Sequence, residues 1–241
     1  MTVYLKVIDE RNTMRHSICL EEMEGRWIAH APALPGCFAS AGDRDTAQAL
    51  APSAIGDYLN WRRAHGDESI PPDSSIEINA EEIIREWPHP ADPDYVVNAF
   101  FAADALTLTS QDIDQAQRLL EWSRADLLAA IDDLSHDECV RPVEGEWSIA
   151  RILTHVGGAE WWYLDRLELA FPRDEVPDEW RARLDRVRAR LLEVLPGLEG
   201  VARFEMKRGE GWSPRKIVRR ALWHERDHTQ HILQFRKRLD A

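Results

Sequence analysis

Three histidines stand where a helical core would carry aliphatic residues. From Ile217 an apolar stripe continues at helical spacing through Ala221, Ile232 and Phe235, and its middle positions are His224 and His228. Four residues apart, these two rings share one helix face, with Cβ atoms about 6 Å from each other. His155 falls in the inner stripe of an earlier helix, among Ile149, Ile152, Val156, Ala159 and Trp162. Imidazoles set into apolar stripes need partners. A single divalent cation satisfies all three at once, and bundle cores often hold metals this way. Three protein ligands leave coordination positions for water or substrate, the pattern of a reactive site and not of a closed structural one. Three imidazoles suit zinc, nickel, copper or iron.

The same helix spells His224-Glu225-Arg226-Asp227-His228, the H-E-x-x-H string in which Glu225 would be the general base of a zinc hydrolase. The extended form of that motif needs Gly three residues after the second His, where His231 stands. Little chain follows His228 to supply a downstream ligand. Glu225 is therefore expected as a solvent-facing neighbour of His224, and a hydrolase role through it is the weaker alternative. His231, one turn beyond His228, is expected to face the same cavity behind the ligands or to lie on the helix surface. Trp162, with Trp147, Trp161, Tyr163 and Trp223, is expected in a pocket wall or in core packing. Gly157-Gly158 costs about 1 kcal/mol of helix propensity per residue, which suits a close approach by another helix or a ligand. His16, His30, His65, His89 and His136 show no pairing and are expected in solvent or loops. Cys139 is expected to be an inert thiol.

These residues must be positioned by two parts of different period. The first alternates, with Val3, Leu5 and Val7 on one strand face and Ile18 and Leu20 on another after a polar gap at Arg11-Asn12-Thr13. Short strands follow at Trp27-Ile28-Ala29-His30-Ala31 and Phe38-Ala39-Ser40-Ala41. A helix from Asp45 to about Ala64 carries Ala47, Leu50, Ala54, Tyr58 and Trp61. Pro71-Pro72 breaks the chain before a closing strand at Ser75-Ile76-Glu77-Ile78. This is a small α+β domain over residues 1–90. Pro88, Pro90 and Pro93 mark a linker, extended over residues 91–108. Residues 109–241 are helical. Thr109 with Asp112 forms a capping box ahead of Ile113, Ala116, Leu120, Leu127, Ile131 and Leu134. Ser148 caps the helix of His155, Pro177 starts a third carrying Trp180, Leu184, Val187, Leu191 and Leu195, and Ser213-Pro214 opens the last. Four long helices make an all-α bundle.

Composition bounds the rest. The 241 residues carry 30 Lys+Arg against 43 Asp+Glu, a net charge of -13 shared by both parts. That disfavours nucleic acid and anionic lipid as partners. No apolar run approaches the length of a membrane span, and the first residues lack the pattern of a secretion signal. Three scattered cysteines, an odd number, point to a reducing cytoplasm.

The stretch Trp147-Ser148-Ile149-Ala150-Arg151-Ile152-Leu153-Thr154-His155-Val156, with Glu160-Trp161-Trp162-Tyr163 after it, resembles the second helix of the DinB/YfiT-like superfamily. His224-x-x-x-His228-Thr229-Gln230-His231 resembles that superfamily's closing element. The resemblance covers about residues 109–241. It implies a four-helix bundle, often dimeric, in which His155, His224 and His228 bind zinc or nickel. It also implies a possible thiol-dependent transferase using bacillithiol, mycothiol or glutathione on a small-molecule substrate. Members often follow the last ligand with Arg-Gly-Gln, where this chain has Thr229-Gln230-His231. Trp27 through Cys37, with Gly42-Asp43 and the helix after them, is similar to the HicB-like antitoxin fold. That likeness implies a β-β-β-α-β domain with an accessory or dimerisation role, or a peptide- or toxin-binding one. A non-catalytic metal-binding or antitoxin-like interaction module is the alternative to the transferase.

Overall fold

The computed structural model describes residues 13–70, 75–142, 145 and 147–239. The strand expected at Val3, Leu5 and Val7 and the Pro71-Pro72 break lie outside them. The chain divides into two compact units, Met1–Asp104 with Arg208–Gly211, and Ala105–Lys207 with Trp212–Ala241.

In the first unit β1 (Thr13–Met23), β2 (Arg26–His30), β3 (Phe38–Ala41), α1 (Arg44–Ala64) and β4 (Ser75–Ile84) follow in order. The sheet runs β3-β2-β1-β4. β1 pairs antiparallel with β2 and parallel with β4, the crossover being α1. The β1–β2 connection is the two-residue turn Glu24-Gly25, both at positive φ, the backbone that matches the twist of a tight hairpin. Asp43 caps α1 through the Thr46 amide. The buried stripe of α1 is Ala47, Ala51, Ile55, Tyr58 and Leu59, so the expected face through Leu50, Ala54 and Trp61 is corrected by a rotation of the helix. Alanines on both faces leave the phase of this helix ambiguous in sequence; Tyr58, which donates to the Pro35 carbonyl at 2.6 Å, fits either phase, and the burial of Ile55 and Leu59 sets it.

Two further expectations are corrected here. The proline-rich stretch is a paired ribbon, β5 (Trp87–His89) with β6 (Asp92–Val97), and not a free linker. A two-stranded ribbon has an outer edge on both strands, where proline's missing N–H costs nothing. His30 is buried instead of solvated. It faces Cys19 across the β1–β2 pair, its Nε2 lies 3.1 Å from Glu21 Oε2, and Phe101 packs on its ring. Glu21 also accepts the Ala99 amide at 2.8 Å, so the carboxylate pins the segment after β6 to the sheet. A 3₁₀ turn at Ala102–Ala105 follows, where the chain passes from the first unit to the second.

The second unit holds α2 (Ser110–Ala129), the single turn α3 (His136–Val140), α4 (Ile149–Arg166), α5 (Trp180–Val194) and α6 (Pro214–Leu239). The expected caps are present. Thr109 and Asp112 form a reciprocal box, Ser148 caps α4 through the Arg151 amide, and Ser213 accepts from the Lys216 amide at 3.1 Å. The third helix starts later than Pro177, at Trp180, where Glu179 supplies the capping oxygens. α2 packs on α6, and α4 packs on both α5 and α6. Their shared core includes Leu127, Ile131, Ile152, Leu153, Val156, Leu184, Ile232 and Phe235.

Arg215, in the first turn of α6, holds the start of α2 by donating to Asp112 Oδ2 at 2.7 Å and to the Thr107 carbonyl at 2.7 Å. Burial pushes the Asp112 carboxyl up, but the Arg215 and Thr109 hydrogen bonds outweigh it and hold it below the usual carboxylate range. A depressed carboxyl stabilises above its unfolded pKa, and that contribution is lost as the pH falls through the folded value. Asp112→Asn should therefore destabilise by about 1 kcal/mol at neutral pH, and the gap from wild type should close below about pH 4. Urea midpoints across that range check it, and a gap that widens in acid contradicts it.

α4 and α5 meet at Gly157. A Cβ there would lie 3.0 Å from Arg183 Cγ and 3.4 Å from the Leu184 amide nitrogen, so the expected close helix approach is present. At Gly158 the nearest atom would be 3.7 Å away. Gly158→Ala should raise stability by about 0.5–1 kcal/mol through helix propensity, and Gly157→Ala should gain less or lose. Thermal melts that reverse this order would refute the packing argument.

Candidate metal centre

The three histidines meet. α6 carries His224 and His228 on one face, and α4, packed beside it, brings His155. His224 Nε2 lies 3.0 Å from His155 Nε2 and 3.2 Å from His228 Nε2. One ring nitrogen of each residue falls within 4.8 Å of the other two. His224 is buried, His228 half-buried and His155 exposed, so the cluster opens to solvent on the α4 side. The expectation of three imidazoles enclosed in the core is corrected accordingly: only one is enclosed.

The donor set fits a divalent cation. A ring nitrogen carries one proton or one lone pair. His224 Nε2 therefore serves two facing nitrogens poorly as a hydrogen-bonding group, whereas a cation takes a lone pair from all three. Four-coordinate zinc with bonds of about 2.0–2.1 Å sets its nitrogens about 3.3 Å apart, close to the two separations observed. The walls are aromatic. Trp147 lies edge-on to His155 at 5.2 Å between ring centroids, and Tyr163 and Trp223 approach His224 at 6.1 and 5.8 Å.

The remaining sequence candidates separate. His231 has its ring 6.1 Å from that of His228, at the outer end of the cluster. Trp162 packs edge-on against Trp212 and Tyr163, one layer behind His224. Cys139 is buried, and burial pushes its thiol up, which keeps it unreactive.

Glu225 is not solvent-facing, which corrects the sequence reading. It is 1% exposed. Residue 225 is rotated by about 100° from residue 224 around the helix, and this turns its carboxylate toward α2 and α5. There Oε2 accepts from Arg124 Nε at 2.8 Å and Oε1 from Arg188 Nη2 at 2.9 Å. Arg188 also forks onto Glu160 at 2.9 and 2.7 Å. Each long helix thus gives one member to a buried quartet: Arg124, Glu160, Arg188 and Glu225. Backbone carbonyls take the outer N–H groups, Leu184 from Arg124 and Leu120 from Arg188. Burial raises the Glu225 carboxyl, but the Arg188 and Arg124 charges outweigh it and keep it ionised. Both oxygens are committed to guanidinium groups, so the carboxylate is a core fixture and not a base aimed at the cluster.

The second unit is thus a helical body with a solvent-open cluster of three imidazoles. The family model of the DinB superfamily matches residues 119–232. That span includes all three histidines and the whole quartet, so the C-terminal part is DinB-like. Domains of this superfamily typically bind metal. No curated protein matches the chain. No helix among the described residues is long and apolar enough to cross a membrane.

Proposed function

We propose that the second unit is a four-helix-bundle metal centre in which His155, His224 and His228 hold a divalent cation, zinc or nickel. We further propose that it serves a transferase reaction with a low-molecular-weight thiol. The convergence of three Nε2 atoms from two helices, with one side open to solvent, carries this reading. A cation held this way supplies a Lewis acid that lowers the pKa of water or thiol in an open position. The chain's own part is to fix the three nitrogens. α6 presets two of them by helical spacing, and α4 offers the third at the solvent edge, where a small molecule enters. Trp147 and Tyr163 line that edge and the inner side with apolar surface that favours an organic group over bulk water. The first unit is read as a HicB-like accessory domain, a reading supported by its strand-strand-strand-helix-strand order.

Elemental analysis of protein prepared without a histidine tag tests the metal. Wild type should carry a stoichiometric divalent ion and His228→Ala should not. Loaded protein is then incubated with an electrophile and bacillithiol, mycothiol or glutathione in turn. Consumption of one thiol that depends on the loaded metal supports the transferase. Bound metal with no turnover by any of the three would overturn the transferase and leave the metal site standing.

A further inference from the structure

Resting on the metal reading above, we propose that Arg151 and Trp147 form an anion-recognising rim on the histidine cluster, so that the molecule taken there carries a carboxylate as well as a thiol. Both residues are exposed, Trp147 at 38%, and they flank the exposed ligand. Arg151 stands four residues before His155 on α4, which places the two on one helix face with Cβ atoms about 6 Å apart. Its guanidinium carbon lies 4.5 Å above the Trp147 ring, and that ring meets His155 edge-on. The three groups form one continuous surface running from the imidazole to the guanidinium.

Arg151 is exposed, and a guanidinium held over a ring by its face leaves the N–H fork at its edge available to a ligand. That fork matches a carboxylate two bonds at a time. Other arginines of this unit spend theirs on carboxylates: Arg124, Arg188, Arg215 and Arg236 all do. Among the described residues no carboxylate pairs with Arg151. Helix stability does not account for it either. It lies in the first turn of α4, which has no acidic residue, at the end where the helix dipole disfavours a cation. In a chain of net charge -13 an anion approaching the cluster meets general repulsion. A guanidinium at the opening reverses that locally, and Trp147 adds a flat apolar surface between fork and imidazole for the body of the molecule.

The test uses the full chain loaded with cobalt(II), whose charge-transfer absorption reports a thiolate arriving at the metal. Glutathione is titrated against its diethyl ester, which keeps the thiol and the backbone but lacks the two carboxylates. Wild type should bind glutathione about fivefold more tightly than the ester, the scale of one exposed charge pair. Arg151→Ala should remove that preference while cobalt content, ester affinity and the thermal midpoint stay unchanged. Arg151→Lys should restore part of it, and Trp147→Leu should weaken it by releasing the fork. Equal affinities in wild type, or a preference that survives in Arg151→Ala, overturn the rim. Absence of bound cobalt, or of thiolate absorption with either compound, means that the metal and thiol reading itself has failed, and the rim falls with it.

Discussion

Arg188→Leu should cost the second unit about 3–5 kcal/mol, the range for removing one partner from a buried charged group. The substitution leaves Glu160 and Glu225, both nearly inaccessible, to share the single charge of Arg124. It also strips a donor from the Leu120 carbonyl. The double variant Arg188→Leu with Glu160→Leu should be less damaging than the sum of the two single changes. It leaves the balanced Arg124–Glu225 pair at 2.8 Å and fills the vacated space with apolar atoms. Urea midpoints of the two single variants and the double one give the coupling directly. A single-variant cost below about 1 kcal/mol, or strict additivity, would show that the four charges do not act as a unit. Glu225→Gln should likewise lose stability, so a loss of any activity in that variant says nothing about a base at the metal unless its fold is checked first.

That quartet is the part of the site least legible in the sequence. Arg124, Glu160, Arg188 and Glu225 look like ordinary charged residues of an acidic helical protein, and their pairings cross as many as 101 residues. A signal was present in the phase. Arg124 falls four residues after Leu120 and three before Leu127, and Arg188 falls four after Leu184 and three before Leu191, all inner positions. Charges of both signs on inner stripes ask for each other, as surely as the histidines at 224 and 228 asked for a partner. The histidines were legible because imidazole has few other reasons to interrupt an apolar stripe, and i, i+4 spacing is a local fact. Caps at Thr109, Ser148 and Ser213 were legible for the same local reason. The ribbon over Trp87–His89 and Asp92–Val97 was not, since its strands are held by pairing that composition does not encode. His30 and Glu21 were hidden by strand phase: cross-strand register alone sets His30 opposite Cys19 and beside Glu21.

The histidines themselves give the other large effect, and His155→Ala is its cleanest form. His224 is buried, so truncating it removes packing as well as a ligand. His155 is exposed, and its loss should leave the metal-free protein within about 0.5 kcal/mol of wild type. Metal affinity should nonetheless fall by a factor on the order of a thousand, because two imidazoles at i, i+4 lack the third point that fixes an ion. The difference is read as a thermal shift. At a metal concentration about a thousand times the wild-type Kd, binding adds about 4 kcal/mol to wild type and close to nothing to His155→Ala. Chelation should lower the wild-type melting temperature to that of the variant without unfolding either protein, because the quartet and the apolar core between α2, α4, α5 and α6 persist without an ion. Ligation requires neutral rings, so the metal-dependent part of the shift should fade as acid protonates them in competition with the ion. A His155→Ala protein that keeps the full metal-induced shift would mean that the ion sits elsewhere, and the open edge of the cluster would lose its chemical role.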